Sequence, residues 1–213
     1  MIFLEQVSSD LVVACWLKAE LSSRRFRPRI EKVLKQLHLP LRAIEKPILT
    51  SRRESLRRHK ALSLYRKDTW GILPLETEWW RAAITPQEFR RLRVINYPTW
   101  TLLSRDTGRL SAAAAVVARA TVPAKAKGRW ALEARMVITR VLQIRERVKI
   151  AEMQTQLILM GRPGGKTWTI LEGNKRATAL YIRCFLTQRE PFLQATQVLV
   201  GLTAQPCSCL RDA

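Results

Sequence analysis

Thr167-Trp168-Thr169-Ile170-Leu171 is a run of β-branched, aromatic and aliphatic residues, the side chains that suit a pleated strand. Glu172-Gly173-Asn174 breaks that run with turn residues. From Lys175 to Leu186 the period becomes helical, with Ala179, Ile182 and Leu186 on one face. A strand entering a helix through one tight glycine turn leaves the chain few ways to fold. The first backbone N–H groups of such a helix lack internal partners and point outward. Two cations beside them, Lys175 and Arg176, add charge-assisted bonds to a phosphate. The pattern predicts an anion site in which Gly173 and Asn174 offer N–H groups and Lys175 and Arg176 neutralise charge. Glu172, the candidate catalytic group, is placed to orient a hydroxyl or a metal-bound water. The plainer alternative is a glycine turn with two solvated cations.

The flanks extend the pattern. Gln156-Leu157-Ile158-Leu159-Met160 reads as a strand, Arg162 to Lys166 as a hairpin connection, and Gln197 to Leu202 as a last strand. Ahead of them, Trp130 to Arg147 and Leu110 to Ala120 read as helices. Thr121 to Gly128, with Pro123, Lys125, Lys127 and Gly128, reads as a linker. The expected division is a basic, mainly helical region over 1–122 and a small α/β domain over 123–213.

Within the first region, Ser9 or Asp10 is expected to cap a helix running to about Leu21. Pro28 suits the first turn of a second helix, whose apolar positions are Ile30, Val33, Leu34 and Leu37. Leu39 to Pro47 reads as a connector. Ser51-Arg52-Arg53-Glu54 and Thr85-Pro86-Gln87-Glu88 each fit a capping box. Val94 to Trp100 is extended or turn-like. Trp70, Trp79 and Trp80 are expected to pack inside rather than stack on bases.

Charge points to a partner. The chain has 38 basic and 17 acidic residues, a net +21, and arginine supplies 27 of the cations. Arginine forks onto phosphate better than lysine. Between Arg24 and Lys67 the local net charge is +12. Arg24, Arg25, Arg27, Arg29, Arg52, Arg53, Arg57 and Arg58 are the candidate nucleic-acid contacts. No spacing there supports base readout by a helix-turn-helix. No run of apolar residues is long enough for a membrane span, and the N-terminus lacks a signal-peptide pattern, so no membrane partner and a cytoplasmic location are expected. The four cysteines are too scattered for a disulfide framework and are read as reduced, with no metal site expected.

Three motif families compete for the central stretch. A P-loop needs four residues between its glycines; only three separate Gly161 from Gly165-Lys166-Thr167, and a strand follows, which excludes it. Glu172-Gly173-Asn174-Lys175-Arg176 resembles the centre of the Fic motif of AMP-transferring enzymes, but Trp168 stands where the catalytic His belongs and Ala179 where the last Arg belongs. Gly173-Asn174-Lys175-Arg176, entered from an aliphatic strand and followed by Ala177 and Ala179, resembles the second box of the ParB/sulfiredoxin superfamily. That resemblance covers roughly residues 145–202. It implies a site at which ParB proteins bind CTP phosphates and at which the related free-serine kinases carry a similar motif. Asn174 stands where sulfiredoxin has its catalytic Cys, so that chemistry is not implied. Trp16 to Leu21, Val94 to Trp100, Leu171 to Arg176 and Val200-Gly201 are together similar to a set of bacterial proteins with a ParB-like end. That likeness implies a fold and a site, and no activity.

The expectation is therefore an α+β protein: a basic, mostly helical N-terminal region followed by a small ParB/sulfiredoxin-like α/β domain. It binds a nucleotide or phosphate, with Mg²⁺ where the ligand is a nucleotide, and associates with nucleic acid. A small-molecule kinase, a nuclease or a non-catalytic interaction module is the alternative. A kinase needs a further carboxylate, for which Glu133, Glu146 and Glu152 are candidates by nearness in sequence. A nuclease needs clustered acids, and the aspartates are scattered.

Overall fold

The computed structural model describes residues 1–23, 26–67, 69–70, 73–74, 76–124, 127–147, 149, 157–192, 196–208 and 210. The chain is α+β. Strand β1 (Ile2–Val7) leads into helix α1 (Ser9–Leu21), then α2 (Arg27–Gln36), the single turn α3 (Arg42–Glu45) and α4 (Arg52–Tyr65). Next come β2 (Glu78–Ile84), α5 (Pro86–Arg90), β3 (Arg93–Val94), α6 (Pro98–Leu103), α7 (Leu110–Ala118) and α8 (Gly128–Arg147). The last part holds β4 (Ile158–Gly161), β5 (Thr169–Glu172), α9 (Asn174–Tyr181), a π-helical turn Ile182–Leu186, and β6 (Thr196–Leu202).

The strands form one six-stranded mixed sheet in the order β1-β2-β6-β4-β5-β3. β2 runs antiparallel to β6 from Glu78↔Leu202 to Ile84↔Thr196, and β3 runs parallel to β5. The boundary expected at 122–123 does not divide this sheet. Residues 1–122 contribute β1, β2 and β3, so the N-terminal region is not helical alone. β3 is too short to show a period, and β2 opens with Glu78 and two tryptophans rather than an aliphatic run.

Side-chain alternation along the strands builds two cores. Ala82, Ile84, Leu159, Ile170, Val198 and Val200 face a cluster that includes Leu103, Leu110, Val117, Val141, Ala177 and Leu180 from α6 to α9. Trp79, Ile158, Met160, Leu171 and Leu199 face the opposite cluster, with Val13, Trp16 and Leu17 of α1, Ile30 and Leu34 of α2, and Leu62 of α4. Helices therefore cover both faces of the sheet. Trp70 stacks on Trp79 at 6.0 Å between ring centroids and meets Trp16 edge-on at 5.7 Å, an interior role.

The caps follow the sequence with two departures. Ser8, rather than Ser9 or Asp10, caps α1 through Leu11 N–H, because β1 occupies the chain up to Val7. Thr85 and Glu88 form the full reciprocal box on α5. Ser51 accepts from Glu54 N–H, but its own N–H goes to Ile48 O, and the Glu54 carboxylate turns to Arg58 instead.

One further expectation changes. Cys207 is disulfide-bonded, so it is not the reduced thiol expected, whereas Cys15 and Cys184 are free. Leu210 N–H donates to Cys207 O at 3.0 Å. Cys209, Glu152, Lys125 and the strand start expected at Gln156 lie outside the described residues. Among the described residues no helix is long and apolar enough to cross a membrane.

Candidate functional site

Strand β5 ends on Glu172, the chain turns at Gly173, and α9 begins at Asn174. Gly173 has φ +97°, a left-handed conformation that L side chains rarely adopt. A Cβ there would meet Leu157 Cδ2 at 2.4 Å and Arg176 Nη2 at 3.3 Å. Both backbone and space therefore require glycine. The first intrahelical bond runs from Ala177 N–H to Gly173 O at 2.8 Å, so the N–H groups of Asn174, Lys175 and Arg176 lie ahead of it.

Asn174 does more than open the helix. Its buried side chain accepts from Ile95 N–H at 3.2 Å and donates to Ile170 O at 3.0 Å. It ties the end of β3 to β5 and holds the turn in place.

The charges around the turn come from three separated parts of the chain. Arg176 Nη2 lies 3.4 Å from Glu172 Oε1. Glu20, only 2% exposed, projects from α1; Arg66 at the end of α4 donates to it through Nε at 2.6 Å and again through Nη2. Tyr65 Oη reaches the other Glu20 oxygen at 3.4 Å. Phe26, at the start of α2, has Arg66 Cζ 5.0 Å and Lys175 Nζ 5.2 Å from its ring centroid, both within cation–π range.

Two carboxylates thus share one charged cluster with Arg66, Lys175 and Arg176. Burial raises the Glu172 carboxyl above its ordinary value, and the charge of Glu20 raises it further; Arg176, Arg66 and Lys175 pull the other way. Burial also raises the Tyr65 phenol, and Glu20 adds to the effect. For Arg66, burial opposes the cation, and the Glu20 charge and hydrogen bond more than offset it.

Of the kinase carboxylates expected from sequence nearness, Glu133 and Glu146 lie elsewhere, and Glu152 lies outside the described residues. Glu133 accepts from Thr99 Oγ1 at 2.9 Å, and Glu146 pairs with the adjacent Arg145. The carboxylate whose charge reaches Glu172 is Glu20. Its signal was readable: Val13, Trp16, Leu17 and Glu20 follow i, i+3, i+4, i+7, so a carboxylate continues an apolar stripe. A charge buried in this way needs a partner, which the sequence alone does not name.

The candidate nucleic-acid arginines separate into distinct groups. Arg27, Arg29, Arg52 and Arg53 are exposed, Arg27 in an ion pair with Glu31 at 2.7 Å. Arg57 is half-buried and donates to His38 O at 3.1 Å. Arg58 is a correction. It is fully enclosed and donates to Ala43 O at 3.4 Å, Ile48 O at 3.3 Å and Glu54 Oε2 at 3.4 Å. It fastens α3 and the following loop to α4 and cannot reach a phosphate. Arg24 and Arg25 lie outside the described residues. Among the described residues no group of three or more His, Cys, Asp or Glu side chains could hold a metal ion.

No protein-family model, curated protein or solved structure matches the chain.

Proposed function

We propose that the chain binds a nucleotide or a related phosphate ligand at the turn Glu172–Arg176 and associates with nucleic acid through its basic helices, as a cytoplasmic protein of the ParB/sulfiredoxin-like type. The observation that carries this reading is the left-handed Gly173, which opens a helix on Lys175 and Arg176 beside the charge of Arg66. Backbone N–H groups at a helix start favour an anion, and the cations add charge-assisted bonds. Phe26 and Tyr65 line the same cluster and hold Arg66 and Lys175 over their rings.

Mg²⁺ accompanying a nucleotide binds chiefly to its phosphates and needs only one or two protein carboxylates. Glu20 is already engaged by Arg66 and Tyr65, which leaves Glu172 as the residue that would reach it. Calorimetry with ATP, CTP and GTP tests the site. Arg176→Ala is expected to abolish binding of whichever nucleotide the wild type takes, and unchanged affinity refutes the assignment. One observation favours a second reading. Glu172, whose carboxyl is raised by burial and by the charge of the Arg66-bound Glu20, is the group that would take a hydroxyl proton in phosphoryl transfer to a small molecule.

A further inference from the structure

The outward face of α4 carries side chains that phosphate binding does not explain. Ser55, Arg58, Ala61 and Leu62 are buried against the protein. On the opposite side, Arg53, Leu56, Lys60 and Leu64 follow one stripe at i, i+3, i+7 and i+11. Leu56 is 63% exposed and Leu64 55%. They stand eight residues apart, about 12 Å along the helix axis, with Lys60 between them. No acidic side chain lies on the stripe; the one carboxylate of this helix, Glu54, is half-buried and turned to Arg58. Ile48 and Leu49, also exposed, continue the apolar character ahead of the Ser51 cap.

We propose that this face docks an acidic amphipathic helix of a partner protein. Such a helix covers Leu56 and Leu64 with its own apolar residues and sets carboxylates against Arg53 and Lys60. Nucleic acid accounts for the cations but not for the leucines. Phosphates leave aliphatic side chains uncovered, and bases stack on aromatic rings rather than on leucine. A helix lying in a membrane surface segregates its cations to the polar face, whereas Lys60 sits between the two leucines. The leucines therefore decide the class of partner.

Fluorescence anisotropy at physiological salt tests the proposal on the full chain. The probes are a labelled helical peptide of roughly 18 residues built from Glu, Ala and Leu with leucines at i, i+4 and i+8, a scramble of it, and a DNA duplex of about 20 base pairs. The wild type is expected to bind the patterned peptide about tenfold more tightly than the scramble. Leu56→Ser with Leu64→Ser removes that preference and leaves duplex affinity unchanged. Both positions face solvent, and circular dichroism checks that the variant keeps its helices. Equal affinity for peptide and scramble overturns the proposal. So does a variant that retains the preference, or one that loses duplex affinity as much as peptide affinity, which would make this a nucleic-acid face.

Discussion

Replacing Gly173 with alanine tests the turn that organises the site. Two costs combine. The left-handed backbone, at φ +97°, costs an L-residue about 1–2 kcal/mol. The new methyl would stand 2.4 Å from Leu157 Cδ2, and over-packing of this kind costs about 1–3 kcal/mol. Gly173→Ala is therefore expected to destabilise the fold by about 2–5 kcal/mol, read as a fall in the urea midpoint at unchanged m-value. The two costs separate in a double-mutant cycle. Leu157→Ala alone opens a cavity at a fully buried position, at about 2–5 kcal/mol. In that background the Gly173→Ala penalty should shrink to the backbone cost, about 1–2 kcal/mol, because the clashing methyl is gone. Strict additivity, or a Gly173→Ala penalty below about 0.5 kcal/mol, refutes the account of this turn.

Titration of the charged cluster gives a second expectation. The folded-state Glu172 carboxyl is raised above its ordinary value, so its neutral form favours folding. That contribution is complete below the unfolded value, near 4.5, and is lost as pH rises through the raised folded one. Glu172→Gln should flatten this part of the stability–pH curve, measured by urea unfolding across that range. Glu20→Gln should move the Glu172 titration downward in carboxyl-resolved NMR, because it removes a neighbouring negative charge. Among the arginines, Arg58→Ala should lower the melting temperature, because it opens a hole between α3 and α4. Arg52→Ala should leave stability unchanged, lower duplex affinity uniformly across sequences, and reduce the salt slope by about 1.

The local part of this protein was legible in the chain itself. Residues 167–181 announce a strand, a glycine turn and a helix, because the strand and helix periods differ and Gly173 stands between them. The Ser51 cap and the Thr85 box mark helix starts, since the residues that satisfy a first turn lie three positions apart in sequence. Tertiary structure decided what depends on distant partners. β2 shows as a strand because β1 and β6 pair with it on either side, and β3 because it lies beside β5. Arg58 counts among the surface cations in sequence, yet carbonyls of Ala43 and Ile48 enclose it.

The turn at Gly173 returns as the centre of the candidate site, with a changed set of neighbours. The sequence by itself determined the turn, its two cations and Glu172, because these follow one another along the chain. Only the tertiary structure brought Glu20, Phe26, Tyr65 and Arg66 to it, from positions more than a hundred residues earlier. Local conformation is set by residues within one helical turn of each other. The charge of a buried carboxylate is set by whichever groups the fold packs around it, wherever they lie in the chain.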